Sequence, residues 1–211
     1  MTSPFKGVPS RGVASEDVAC EGVASEDVPS EDVAPSDPPA SAIVLIGPMG
    51  AGKTSVGRRV ARALGVNFAD TDKLVVRDHG PIPAIFERFG EARFRELERA
   101  AVSESLAAGG VVALGGGAIL DPATRADLAA HRVAFLTVSP KVVSGRIHGT
   151  DRPLLADTDP VARWQSIYAE RRSLYEEVAD ITLDTSSGPL AAVVAEIVAW
   201  AQQPQNAEEH A

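Results

Sequence analysis

The sequence predicts an α/β fold in which five parallel strands form a central sheet with helices on both faces. Two observations carry this. From Ala42 to Ala201, short apolar runs of strand length alternate with segments of helical periodicity, and that alternation builds a parallel sheet covered on both sides. The first apolar run, Ala42-Ile-Val-Leu-Ile46, leads directly into Gly47-Pro-Met-Gly-Ala-Gly-Lys53-Thr54. This is a full match to the phosphate-binding pattern G-x-x-x-x-G-K-[ST], set between a strand and a helix as that pattern requires.

Each element has its own signal. Thr54–Leu64 places Val56, Val60 and Leu64 on one side of a helix. Val66–Asp70 reads as a short second strand. Ile82–Phe89 and Gly90–Ala108 read as two helices, and Gly110–Leu114 as a buried strand ending in Gly115-Gly-Gly117. Asp121–Ala130 has an N-cap aspartate and Pro122 at its first helical position, as helix starts prefer. Val133–Val138 is an apolar strand, Val161–Ala179 a long helix, Ile181–Asp184 a strand and Leu190–Ala201 a docked terminal helix. Ligands of such sheets gather at the carboxyl ends of the strands.

Residues 1–40 differ from the rest. They carry eight acidic and two basic residues, against twenty-one and eighteen in residues 41–211. Ser-Glu-Asp-Val recurs at Ser15–Val18, Ser25–Val28 and Ser30–Val33, and no aromatic follows Phe5. Such a segment cannot bury enough apolar surface to offset its ordering entropy, so a disordered acidic tail over 1–40 and a catalytic domain over 41–211 are expected. The net charge of −9 excludes a general nucleic-acid binder, which shows a basic stripe. Cys20 is the single cysteine, so no intramolecular disulfide forms, which suits a reducing cytoplasm. No apolar signal region and no membrane-length apolar run are present. His79, His131, His148 and His210 show no metal-ligand spacing.

The chemistry lies in a series of short motifs. In the first loop, glycines let backbone N–H groups converge on phosphate oxygens, and the new helix adds the positive end of its dipole. Lys53 is placed to reach the β- and γ-phosphates and Thr54 to ligate Mg²⁺. Asp70-Thr-Asp72 closes the second strand, where one carboxylate serves a metal and the other a hydroxyl, or where the triplet simply caps a helix. Arg95 and Glu98 share a helix face, either as a surface ion pair or as an arginine held for a substrate carboxylate. Gly115-Gly-Gly117 allows close backbone approach to a ligand, or is a flexible turn. Arg152-Pro-Leu-Leu155 lies in a polar stretch with the character of a mobile lid carrying one strong cation. Arg171-Arg-Ser-Leu-Tyr175 lies on the long helix, as a second anion contact or as a basic face.

In this order, across residues 42 to about 202, the motifs resemble the shikimate kinase family. The resemblance implies a three-layer P-loop fold like that of nucleoside-monophosphate kinases, with a lid, and ATP-dependent phosphorylation of the 3-hydroxyl of shikimate on the route to aromatic amino acids. It implies ATP contacts from Gly50, Ala51, Gly52, Lys53, Thr54, Ser55 and Arg152, with Arg146 against the adenine. Mg²⁺ falls to Thr54 and Asp70. Asp72 takes the acceptor hydroxyl and is the candidate base, with Lys53 and Arg152 assisting transfer. Arg95, Arg171 and the N–H groups of Gly115, Gly116 and Gly117 take the acid. The partners implied are ATP and shikimate, with no nucleic acid or membrane, for a cytoplasmic monomer. The residues alone leave room for another small-molecule or nucleoside-monophosphate kinase, or a non-catalytic nucleotide binder. The triple glycine and the Arg95–Glu98 pair favour a carboxylic acid, and no base-reading N-K-x-D motif supports a switch GTPase.

Overall fold

The computed structural model describes residues 41–147 and 159–204. The tail expected over 1–40 and the lid around Arg152 lie outside these residues. The described elements run β1 (Ile43–Ile46), α1 (Lys53–Leu64), β2 (Phe68–Asp70), α2 (Thr71–His79), α3 (Ile82–Ala108), β3 (Val111–Ala113), a 3-10 turn (Ala118–Leu120), α4 (Pro122–Leu128), β4 (Arg132–Thr137), α5 (Pro140–Ile147), α6 (Pro160–Val178), β5 (Ile181–Asp184) and α7 (Leu190–Ala201).

The five strands form one sheet in the order β2-β3-β1-β4-β5, every pair parallel. The chain leaves β1 toward one edge of the sheet and β4 toward the other, so a crevice opens beyond the carboxyl end of β1. Successive side chains of a strand point to opposite faces. Ile43 and Leu45 therefore enter a core with Val56 and Val60 of α1 and Val193 and Ile197 of α7. Val44 and Ile46 enter a second core with Val102 and Leu106 of α3 and Tyr175 of α6. β1 is buried at all four positions, and each such aliphatic side chain contributes about 1.5–3 kcal/mol. Close approach of α1 to the sheet depends on Gly57: a Cβ there would sit 2.5 Å from the Phe68 ring.

A smaller core of Val75, Ile85 and Phe94 joins α2 to α3, with Phe86 and Phe94 at 4.9 Å between ring centroids. The two helices read on either side of Gly90 meet there at a kink. Gly90 has φ 80° and ψ 174°, a conformation that glycine adopts without strain. β2 is shorter than the sequence suggests, beginning at Phe68 rather than Val66; it ends at Asp70, and Thr71 and Asp72 open α2. α2 itself escapes the sequence pattern because only Thr71 and Val75 along it are buried.

The terminal helix is docked, and Arg132 fastens it. Its guanidinium donates to the carbonyls of Trp200 and Gln203, each at 2.6 Å, and lies 4.5 Å from the Trp200 ring centroid. A cation is favourable at a helix C-terminus. Among the described residues no helix is long and apolar enough to cross a membrane.

His131 joins α4 to β4, and its Nδ1 accepts the Ala42 N–H at 3.2 Å. Burial lowers its proton affinity, outweighing the pull of Asp127. The unfolded chain therefore takes up the proton first, and stability present at neutral pH should fall as pH drops through about 6.5. Melting temperature against pH checks this: His131→Gln should flatten the slope between about pH 7 and pH 5 relative to wild type.

Candidate active site

The loop after β1 is shaped by its glycines and tied down by side chains from three elements. Gly47 (φ 135°) lies so close to the Leu136 carbonyl that no side chain fits, and Gly50 and Gly52 take left-handed backbone. Trp164 Nε1 of α6 donates to the Met49 carbonyl at 2.9 Å. Arg146 of α5 donates to the Gly50 carbonyl at 2.7 Å and to the Thr185 carbonyl at 3.4 Å. The buried Thr185 hydroxyl lies 3.0 Å from the Ala51 carbonyl. Lys53 Nζ folds back onto the carbonyls of Gly47 and Pro48 at 2.7 and 3.0 Å. α1 starts at Lys53 with no side-chain cap, and uncapped N-terminal amides suit an anion. Gly50, Gly52, Lys53, Thr54, Ser55 and Arg146 line a cavity of about 250 Å³ here. Ala51 is fully buried and is not among its lining residues.

Asp70 performs two tasks at once. One oxygen accepts the Lys73 N–H and caps α2 at 3.2 Å, so the capping reading of the triplet is correct for this residue. The other accepts the Thr54 hydroxyl at 2.6 Å. Two hard oxygen donors thus meet beside the phosphate loop, the chemistry that Mg²⁺ requires.

A second cavity, of about 650 Å³, opens between α2, α3 and the end of β3. Arg95, Glu98, Gly116 and Gly117 form a polar side, and Val76, Ile82, Phe86 and Phe94 an apolar one. Thr54, Asp70, Asp72 and Gly116 line both cavities, which therefore meet at the aspartates. Arg95 donates to Glu98 at 2.6 Å and to Glu91 at 2.9 Å. The surface-pair reading fails for Glu98, whose side chain is 4% exposed, and holds for Glu91, whose side chain is 56% exposed. Burial raises the proton affinity of Glu98; Arg95 opposes this, and Asp72 adds to it.

The three glycines have separate jobs. A Cβ on Gly115 would sit 2.5 Å from Asp72 Oδ1 and 2.6 Å from Glu98 Oε1. One on Gly117 would run into the Arg95 guanidinium. The Gly115 N–H donates to Thr71 Oγ1 at 2.9 Å, so it is not the free donor that the motif suggested. The Gly116 carbonyl accepts from Arg171 at 3.1 Å and from the Tyr175 hydroxyl at 2.5 Å. Arg171 thus stands behind Gly116 rather than lining the large cavity. Arg152 lies outside the described residues.

Known proteins resemble this chain in sequence and in fold. The shikimate kinase family model matches residues 49–202. A shikimate kinase of Halorhodospira halophila is 46% identical over 162 residues, covering 75% of this chain and 92% of the relative. One from Corynebacterium efficiens is 44% identical, covering 74% and 94%. The chain belongs to the shikimate kinase family. A solved shikimate kinase from Acinetobacter baumannii in complex with shikimate superposes with a TM-score of 0.73 at 35% identity, over 76% of this chain and 92% of that one. The family resemblance carried by the motifs is borne out.

Within this shikimate kinase frame, sequence reasoning missed several supports. Trp164 is buried but also holds the phosphate loop through its N–H. Thr185 and Tyr175 each place a buried hydroxyl against a loop carbonyl. Their partners lie more than fifty residues away in sequence, so no local pattern announces them. A buried Tyr or Trp polar group needs a partner, and that was the one available signal.

Gly115→Ala should cut turnover sharply, because the new methyl displaces Asp72 and Glu98 together. The strain expected is about 1–3 kcal/mol, as for other overpacked sites. Steady-state kinetics alongside thermal melting check this: a melt shift with unchanged turnover contradicts the crowding assigned to Gly115.

Proposed function

We propose that this chain transfers the γ-phosphoryl group of ATP to the 3-hydroxyl of shikimate, giving shikimate 3-phosphate and ADP, in the shikimate pathway to chorismate and aromatic amino acids. The observation that carries this is the meeting of a phosphate-loop cavity and an arginine-bearing cavity at Asp70 and Asp72. Family membership supports the same reading. Residues 41–211 act as the kinase domain, residues 1–40 as an appended tail, and the protein works as a cytoplasmic monomer without nucleic acid or membrane.

The sequence motifs, with the two cavities beside them, support the following roles. The amides of Gly50, Gly52, Lys53, Thr54 and Ser55 hold the phosphates, while the buried Ala51 shapes the loop, and Lys53 leaves its loop carbonyls to meet the β- and γ-phosphate oxygens. Arg146, at the rim, lies against the adenine. Arg152 supplies positive charge from the lid. Thr54 and Asp70 hold Mg²⁺, which when bound supplies charge neutralisation on the phosphate oxygens. Asp72 accepts a hydrogen bond from the acceptor hydroxyl and orients it. That oxygen bonds to the γ-phosphorus as the bond to the ADP oxygen breaks, and the hydroxyl proton passes to Asp72. Orientation and charge neutralisation carry most of the rate in such transfers.

Arg95 grips the acid in an asymmetric way. Its contact with the buried Glu98 is permanent, since removing either partner strands a buried charge. The contact with the exposed Glu91 is weak and exchangeable. The substrate carboxylate takes the place of Glu91, while Glu98 keeps the guanidinium aimed. The N–H groups of Gly116 and Gly117 complete the anion site, and Arg171, bonded to the Gly116 carbonyl, adds positive charge from behind it.

A coupled assay of ADP release tests the reaction. Shikimate should drive release, while gluconate and nucleoside monophosphates should leave it at the background rate. In the same assay Arg95→Ala should cost roughly 2–4 kcal/mol in kcat/KM for shikimate. ADP release indifferent to shikimate would overturn the function, and unchanged kinetics in the variant would overturn the clamp.

A further inference from the structure

Thr71 sits between two residues with proposed roles, and it has none of its own so far. Its residue exposure is 0%, and its hydroxyl accepts the Gly115 N–H at 2.9 Å in a buried contact between residues 44 apart. The sheet explains why this contact exists. The β2–β3 ladder ends at Asp70 opposite Ala113 because the chain then turns into α2. Along β3, successive amides face opposite neighbours. The Leu114 N–H faces β1 and donates to the Leu45 carbonyl at 3.1 Å. The Gly115 N–H therefore faces β2, where no strand remains to receive it. Thr71 Oγ1 takes the place of the missing ladder carbonyl.

The contact also lies against Asp72. The side of Gly115 where a Cβ would stand is filled by Asp72 Oδ1 and Glu98 Oε1. Asp70 ties the start of α2 to Thr54 on α1, and Thr71 ties it to the end of β3. Two ties at consecutive residues fix both the position and the rotation of the first turn, which carries Asp72. The Thr71 tie adds a second fixed point next to the Asp70 one, on the side of the turn that faces Gly115.

We propose that Thr71 is a positioning residue for Asp72: its buried hydroxyl extends the β2–β3 pairing by one hydrogen bond and so sets where the Asp72 carboxylate stands relative to the acceptor hydroxyl. This rests on the kinase reading above. The Thr71 hydroxyl touches neither substrate; it acts through Asp72.

The test measures initial rates with ATP and shikimate varied for the wild type, Thr71→Val, Thr71→Ser, Asp72→Asn and the Thr71→Val/Asp72→Asn double variant. Thr71→Val keeps the shape and removes the acceptor; Thr71→Ser keeps the acceptor. Thr71→Val should lower kcat by roughly tenfold or more, the scale of a displaced catalytic group. Its KM for ATP should stay within about twofold, because the phosphate-loop contacts are separate. Thr71→Ser should restore most of the rate. In the Asp72→Asn background, Thr71→Val should cost little more, since its route of action is already gone. Wild-type kcat in Thr71→Val, loss in Thr71→Ser equal to that in Thr71→Val, or equal losses in both backgrounds would each overturn the proposal. Should Thr71→Val fail to fold, Thr71→Ala replaces it in the same arms. A wild type inactive on shikimate would overturn the functional reading and this proposal together, whereas an active wild type with a fully active Thr71→Val overturns the proposal alone.

Discussion

The hydrogen bond from the Thr54 hydroxyl to Asp70 is the contact on which the site depends. Thr54 lies in the first turn of α1 after the central strand, and Asp70 closes β2, which is not the neighbour of β1 but lies beyond β3. The bond therefore crosses the carboxyl end of β3 and joins two separate strand–helix units. It ties the helix that follows the phosphate loop directly to the start of α2. With it, the first turn of α2 stands beside the loop, and Asp72 comes to the border of both cavities. The same carboxylate caps α2, so helix formation and site assembly rest on one side chain.

The large cavity owes its polarity to a buried charge pair. Placing Glu98 at 4% side-chain exposure carries a desolvation cost, and Arg95 offsets it. The pair is fixed from three directions: Phe94 packs in the α2–α3 core, Gly117 leaves room for the guanidinium, and Gly115 leaves room for the carboxylate. An arginine held in this way loses little entropy on meeting a second carboxylate. The apolar wall of Val76, Ile82, Phe86 and Phe94 faces this polar side, an arrangement suited to a small ring with one charged edge.

Much of this was legible in the sequence, for identifiable reasons. β1, β3 and β4 read out as short runs that are mostly apolar, and β1, β3 and β5 are each flanked by glycine or aspartate. The phosphate loop read out because its glycines are dictated by local backbone geometry: Gly47, Gly50 and Gly52 all have positive φ. Gly90 marked a helix junction for the same reason. The i,i+3 spacing put Arg95 and Glu98 on one face, but it left their burial open, because burial depends on how α3 meets β3. α2 stayed hidden since it presents only Thr71 and Val75 to the interior. Thr71, Trp164 and Thr185 act through partners distant in sequence, and a single chain does not say which partner each one meets. Gly115 had its position read correctly and its amide misassigned: the donor that its motif advertised is used to finish a strand pairing.

The central claim is that a nucleotide and a ring carboxylic acid occupy the two adjoining cavities at the same time, with Asp72 between them. A crystal structure of the protein with ADP, Mg²⁺ and shikimate tests it most directly. The account predicts the ADP phosphates on the Gly47–Thr54 loop, the acid carboxylate on Arg95, and the 3-hydroxyl within hydrogen-bond distance of Asp72. Shikimate bound with its carboxylate away from Arg95, or with its 3-hydroxyl turned away from Asp72 and the nucleotide, would contradict it.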